Sequence, residues 1–295
     1  MKKLFCSLAA VLVAVAAMAG NGLLWKVSGN GLTQPTYILG SHHLAPAEFV
    51  DSIPGLRNAI GEVSAVYGEV EKDALTSPEA QQKMLMMAMA PTDSTLSKVL
   101  TAEQLNKVDD MLAYYTGQPK LTISLEAMKP SFISAQIAVL MVMKEFPEMQ
   151  VQQAFDAALM ELAEKNGKPI GGLETLESQL QLVFGDPLTV QASDLMKVVE
   201  DKDEKVKQTR DLTTSYLKQD LDGVTHIMTS EEYGVQDGDL DRLIYNRNRT
   251  WVEELTELMP QKSMLVVVGA GHLGGDQGVL NLLKQKGYTV EPVEK

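Results

Sequence analysis

Apolar residues fall in two rhythms along this chain. Short runs that alternate or stay unbroken read as strands, and longer runs with a 3.6-residue period read as helices. Residues 23–27 and 36–39 are short apolar runs. The turn-rich Ser28-Gly29-Asn30-Gly31 segment and Pro35 lie between them, which predicts a β-hairpin. Residues 63–70 (VSAVYGEV) predict a buried strand, with a short helix over 54–62 before it. Residues 170–173, 262–268 and 288–292 are the other strand-like runs. The segments between them have helical periodicity: 77–117 with an internal break, 130–143, 151–165, 188–221, 240–258 and 277–286. Thr101 reads as the N-cap of a helix over 102–115, and a further helix begins at 174–179. Residues 231–238 read as a polar loop. The strands sit at both ends and in the middle. The pattern predicts an α/β fold, a mixed central β-sheet with long helical insertions forming a cap, in one domain over residues 20–295.

Residues 1–19 read differently. Lys2 and Lys3 precede an apolar stretch over 4–16, and Ala17-Met18-Ala19 forms a small-x-small cleavage site. This predicts a secretory signal peptide, too short to serve as a membrane anchor, and hence an exported protein, periplasmic or extracellular. Cys6, the only cysteine, leaves with it. The mature chain then has no disulfide, no thiol nucleophile and no cysteine-rich zinc site. The formal net charge is −13 and no basic patch occurs, which argues against nucleic acid as a partner. The methionine-rich stretch over 81–89 reads as helix core; the other reading is an adaptable surface for peptides or lipid.

The candidate chemistry lies where strands stop. Tyr37-Ile38-Leu39 runs into Gly40-Ser41-His42-His43, and the run over 264–268 into Gly269-Ala270-Gly271-His272. Both read as strand, then Gly-x-x-His. The chain has four histidines, and only His226 lies outside this pair of motifs. Open α/β sheets build sites outside the carboxyl ends of their strands, so His43 and His272 are expected in one crevice. The plain alternative is two unrelated loop histidines. His42 is expected to point elsewhere and His226 to be structural.

Glu69 ends the strand over 63–70, where a carboxylate needs a partner or a cation. Glu174 repeats the arrangement, with a helix start as its other explanation. Two imidazoles and a carboxylate suit a divalent metal such as zinc, manganese or cobalt, which turns bound water into a nucleophile. Glu69 is the candidate general base. Arg247, in Asn246-Arg247-Asn248-Arg249, reads as a clamp for a carboxylate or oxyanion, or as a surface ion pair. In the first reading, Arg247→Lys costs activity and leaves stability intact.

The segments LWKVSGNGLTQPTYILGSHHL, IPGLRNAIGEVSAVYGEVE, GLETLESQ, NRNRTW and VVVGAGHLGGDQGVLNLLKQKGYTV, in that order, resemble the TraB/GumN family, which includes the animal Tiki proteins. The resemblance implies an α/β core shared with erythromycin-esterase and ChaN-like proteins, and metal-dependent proteolysis of a peptide or protein substrate. It carries the first GxxH onto Gly40 and His43 and the core glutamate onto Glu69. It carries the RN pair onto Arg247 and Asn248, and the second GxxH onto Gly269 and His272. His42 stands where the family usually has an apolar residue, and Asn246 replaces a frequent acid. The expected site is catalytic His43, Glu69, Arg247 and His272, with a metal on His43, Glu69 and His272, and Glu174 and Asn248 as further members. The competing class is a non-enzymatic protein that binds haem or sequesters a peptide.

Overall fold

The computed structural model describes residues 22–149, 155–233 and 237–294. The expected signal peptide, the start of the helix expected at 151 and residues 234–236 of the expected polar loop lie outside them. The fold class is as expected: a mixed sheet with long helical insertions. β1 (Leu24–Ser28) and β2 (Thr36–Ser41) form the hairpin, β3 is Ala65–Val70, β4 Ile170–Glu174, β5 Met264–Gly269 and β6 Thr289–Pro292. The sheet order is β4-β3-β5-β2-β1-β6. β4, β3, β5 and β2 are mutually parallel, and β1 is antiparallel to both its neighbours. The chain leaves β2, skips a position to form β3, and returns much later to insert β5 between them. That insertion brings the two Gly-x-x-His segments side by side.

Each face of the sheet carries helices, so the central strand β5 is buried throughout its apolar run. On one face Leu265 and Val267 pack with Leu39 and Val66 under α1 (Leu56–Glu62) and Phe155 and Leu159 of α5 (Phe155–Lys165). On the other, Val266 and Val268 pack under Trp251, Val252 and Leu255 of α10 (Asn246–Leu258) and Leu280 and Leu283 of α11 (Val279–Gln285). Alternation along β5 divides its side chains between the two cores. A third core, with Leu112, Ile133, Ile137 and Leu195, lies within the insertions. It joins α3 (Ala102–Thr116), α4 (Pro130–Glu145) and α7 (Leu188–Glu200) as the cap. Thr101 caps α3 in a capping box with Gln104.

Several local expectations change. The run expected as one helix over 188–221 is two, α7 and α8 (Lys202–Leu217), parted at Asp201. The helix expected from 240 opens with a π-helical turn, Asp241–Tyr245, before α10. Glu174 is the last residue of β4, directly before Thr175, which caps the following α6 (Leu176–Phe184). The methionine-rich α2 (Pro78–Ala88) is only half packed. Met84 and Met87 lie against Val70, Leu176 and Leu180, while Leu85 and Met86 are 55% and 66% exposed. One short amphipathic layer over a sheet edge cannot bury both faces of such a helix. Residues 231–233 of the expected loop form a 3-10 turn.

Candidate functional site at the carboxyl ends of the parallel strands

The parallel register sets the site. Ser41 of β2 lies opposite Gly269 of β5, and Val70 of β3 opposite Glu174 of β4. His43, His272, Glu69 and Glu174 therefore all emerge at one edge. The glycine of the first motif has a steric reason. A Cβ on Gly40 would lie 3.0 Å from Ala270 Cα and 3.1 Å from a Leu273 methyl, so the two loops touch there. At Gly269 a Cβ would meet Glu69 Oε1 only at ordinary contact distance, 3.4 Å; there the backbone matters, since the Gly269 amide donates to that oxygen.

His272 is 5% exposed. Its Nδ1 lies 2.7 Å from Asn248 Oδ1. The Asn248 amide donates to the carbonyls of His272 (3.2 Å) and Gln277 (2.8 Å), which turns Oδ1 toward the ring. Nδ1 therefore carries the proton and donates to Asn248. Nε2 keeps its lone pair and accepts from Arg247 Nη1 at 3.0 Å. Burial lowers the pKa of the ring to about 4, against the pull of Glu69, so His272 is neutral at physiological pH.

Arg247 is the second residue of α10, directly after the π-helical turn, a feature frequent at functional sites. Its Nη2 donates to Glu69 Oε2 and Glu174 Oε1, each at 2.7 Å, and Nε donates to Glu174 Oε2 at 3.1 Å. The guanidinium also lies 4.5 Å from the centre of the Trp251 ring. The side chains of Arg247, Glu69 and Glu174 are 15%, 11% and 10% exposed. This is a part-buried network, not a surface pair, so stability is at stake in any Arg247 substitution. Arg249 turns away to Gln277 and Asn246.

Glu69 accepts three hydrogen bonds. Oε1 takes the Gly269 amide at 2.8 Å, and Oε2 takes Gln179 at 3.0 Å besides Arg247. Burial raises its pKa, but His272, Arg247, the Gly269 amide and His43 outweigh that and hold it below the usual carboxylate range. A low pKa suits an anionic anchor or ligand better than a general base.

His43 has a partner the sequence did not reveal. Asp156, in the first turn of α5, lies 2.7 Å from His43 Nδ1. Nothing in the helical pattern separates Asp156 from a solvated surface acid. Its hydrogen bond raises the pKa of His43 to about 9, against partial desolvation of the ring by neighbouring atoms, with the charges of Asp156 and Glu69 adding to it. The ring is therefore charged at pH 7. The pair stabilises the fold fully below the ordinary histidine pKa, and this contribution disappears as pH rises through 9. Asp156→Asn is expected to bring the His43 titration back toward 6.5, read from the ring signals by NMR. A His43 pKa unchanged in that variant would remove the pairing. His42 turns away as expected: its Nδ1 accepts the Leu44 amide, and its ring lies 5.3 Å from that of Tyr216. His226 is largely exposed on α9 (Leu221–Thr229), 3.8 Å from Glu232.

Two cavities flank the Arg247 bridge. One of about 310 Å³ is lined by charged His43, Glu69, Asp156 and Lys72, by polar Ser41, Thr76 and Gln179, and by apolar residues; the other, about 610 Å³, is lined by residues that include Glu174, Arg247, Arg242 and Trp251. The α2 methionines line neither, and Met160 of α5 lines the first.

The donor chemistry here suits a divalent cation. His272 presents Nε2 in a fixed tautomer, Glu69 is ionised, and His43 can offer Nε2 on releasing its proton. The lone pairs of Glu69, Glu174 and His272 already converge on one cation, the Arg247 guanidinium. Among the described residues no group of three or more histidine, aspartate or glutamate side chains is placed to hold a metal ion. A metal on His43, Glu69 and His272 requires these side chains to draw together and Arg247 to release Glu69 and His272.

The model of the TraB/PrgY/gumN family matches residues 23–292. The chain is similar to metalloprotease TIKI2 of Danio rerio, 24% identical over 318 residues, which cover 92% of this chain and 61% of that protein. It is similar to metalloprotease TIKI1 of Homo sapiens, 24% identical over 317 residues, covering 92% and 62%. It is also similar to a metalloprotease TIKI homolog of Nematostella vectensis, 22% identical over 331 residues, covering 93% and 67%. The chain thus spans about three-fifths of the length of the first two. No solved structure matches, and no described helix is long and apolar enough to cross a membrane.

Proposed function

The chain belongs to the TraB/PrgY/gumN family, and on that premise we propose that it is an exported, metal-dependent hydrolase that cleaves peptide bonds. The observation that carries this reading is the convergence of Glu69, Glu174 and His272 lone pairs on one cationic position, beside His43 and a cavity. His43, Glu69 and His272 would hold the metal. When bound, a divalent metal supplies Lewis acidity and a water acidic enough to react near neutral pH. Asn248 keeps the His272 tautomer that offers Nε2. Asp156 fixes the ring of His43 through Nδ1 and leaves Nε2 to the site. Arg247 stays on Glu174 through its other contacts and offers a fixed cation to a developing oxyanion.

The test is cleavage of a quenched-fluorescence peptide library by protein purified without a metal-binding tag. Manganese, cobalt and zinc are supplied in turn after chelation. At least one metal is expected to restore cleavage that the chelator abolishes. Glu69→Gln, which keeps shape and removes the anionic ligand, is expected to lower metal affinity or rate by about 10- to 100-fold. Cleavage that persists after complete metal removal would refute the metal dependence. Export implies a mature chain that begins near Gly20, which intact mass of the secreted fraction decides.

A further inference from the structure

The cavity beside His43 is built unlike the chemistry at its inner end. Val70, the last residue of β3, and Met160 of α5 form its floor, and both are buried. Ala157, one turn before Met160, and Leu75, 38% exposed, stand at its rim. Gly68 keeps the floor open, since a Cβ there would lie 3.0 Å from Met160 Cε. The charges around it are already matched. Lys72 is bound to Glu164 at 2.5 Å, His43 to Asp156 and Glu69 to Arg247. A charged group entering this cavity would find no free counter-charge, whereas an apolar group would exchange water for Val70, Leu75 and Met160. At about 310 Å³ the space is at the small end of ligand pockets, the scale of one large side chain.

We infer that this cavity is the subsite for a large apolar side chain of the substrate, of the leucine, methionine or phenylalanine class, next to the bond that is cut. The inference rests on the reading of the site as a peptidase and adds the substrate class. Contact with Val70, Leu75 and Met160 favours such a residue over alanine by about 10- to 100-fold in kcat/KM. Lysine or aspartate at the same position is rejected, because burial of either leaves an unpaired charge.

The test has two arms. In the first, metal-loaded protein is given peptides that differ only at the residues flanking the scissile bond. One flanking position is expected to prefer leucine or phenylalanine over alanine, glycine, lysine and aspartate. Ala157→Phe, which projects a ring into the cavity from an exposed helix position, is expected to lower the leucine-to-alanine ratio at least tenfold. In the second arm, metal-free protein is titrated with labelled pentapeptides carrying leucine or glycine at the centre, followed by anisotropy. Leucine is expected to bind more tightly, and Ala157→Phe to abolish the difference. Cleavage without apolar preference, or a ratio that Ala157→Phe leaves unmoved, overturns the subsite. Leucine-selective binding without cleavage under any metal keeps the subsite and overturns the hydrolase reading. Equal binding of both peptides without cleavage overturns both.

Discussion

Replacing Arg247 by methionine is expected to cost about 3–5 kcal/mol of folding stability, the penalty for leaving part-buried charges unpaired. One guanidinium holds Glu69 and Glu174, whose side chains are 11% and 10% exposed, and stacks on Trp251. Methionine keeps much of the stem volume and removes all of those bonds. Two carboxylates then face one another at the strand ends without a cation. Arg247→Lys is expected to fall between wild type and Arg247→Met, because an ammonium cannot reproduce the planar fork that reaches both acids and Nε2 of His272. Urea titration measures the loss, and an unchanged midpoint in Arg247→Met would show that the network contributes nothing. Manganese in the titration separates two accounts of the same residues. If these lone pairs suit a divalent cation, the metal stabilises Arg247→Met more than wild type, where the guanidinium already takes the place. Equal stabilisation of both proteins would mean that the metal binds elsewhere.

Much of the architecture was legible because it depends on local patterns that burial enforces. The unbroken apolar run in β5 follows from helices on both faces of a central parallel strand. The repeat of strand and Gly-x-x-His was readable as one site. Gly40 marks a place where a side chain would press on Ala270 and Leu273 of the second loop. Asn248 was legible only through family resemblance, and geometry supplies its reason, the tautomer of His272.

What stayed hidden depends on contacts far apart in the chain. Asp156 reaches His43 across 113 positions, and nothing local distinguishes it from other acids on a helix. Glu174 and Glu69 share Arg247 because β3 and β4 are neighbours, a pairing that spacing alone does not specify. The π-helical turn before α10 has no period to betray it. The exposed Leu85 and Met86 misled for the opposite reason: their apolar pattern implies a covering layer that the described residues do not provide.

The central claim is that the two Gly-x-x-His histidines and Glu69 hold one divalent metal. His43→Ala tests it most directly, because the His43 side chain is 70% exposed and its loss leaves the cores intact. The measurement is metal content per chain, by mass spectrometry of protein purified without a metal-binding tag and equilibrated with manganese, cobalt or zinc. Wild type is expected to hold close to one equivalent of one of these metals. His43→Ala is expected to lose most of it while melting within a few degrees of wild type. Equal metal content in the two proteins, or none in wild type under any of the three metals, would contradict the account.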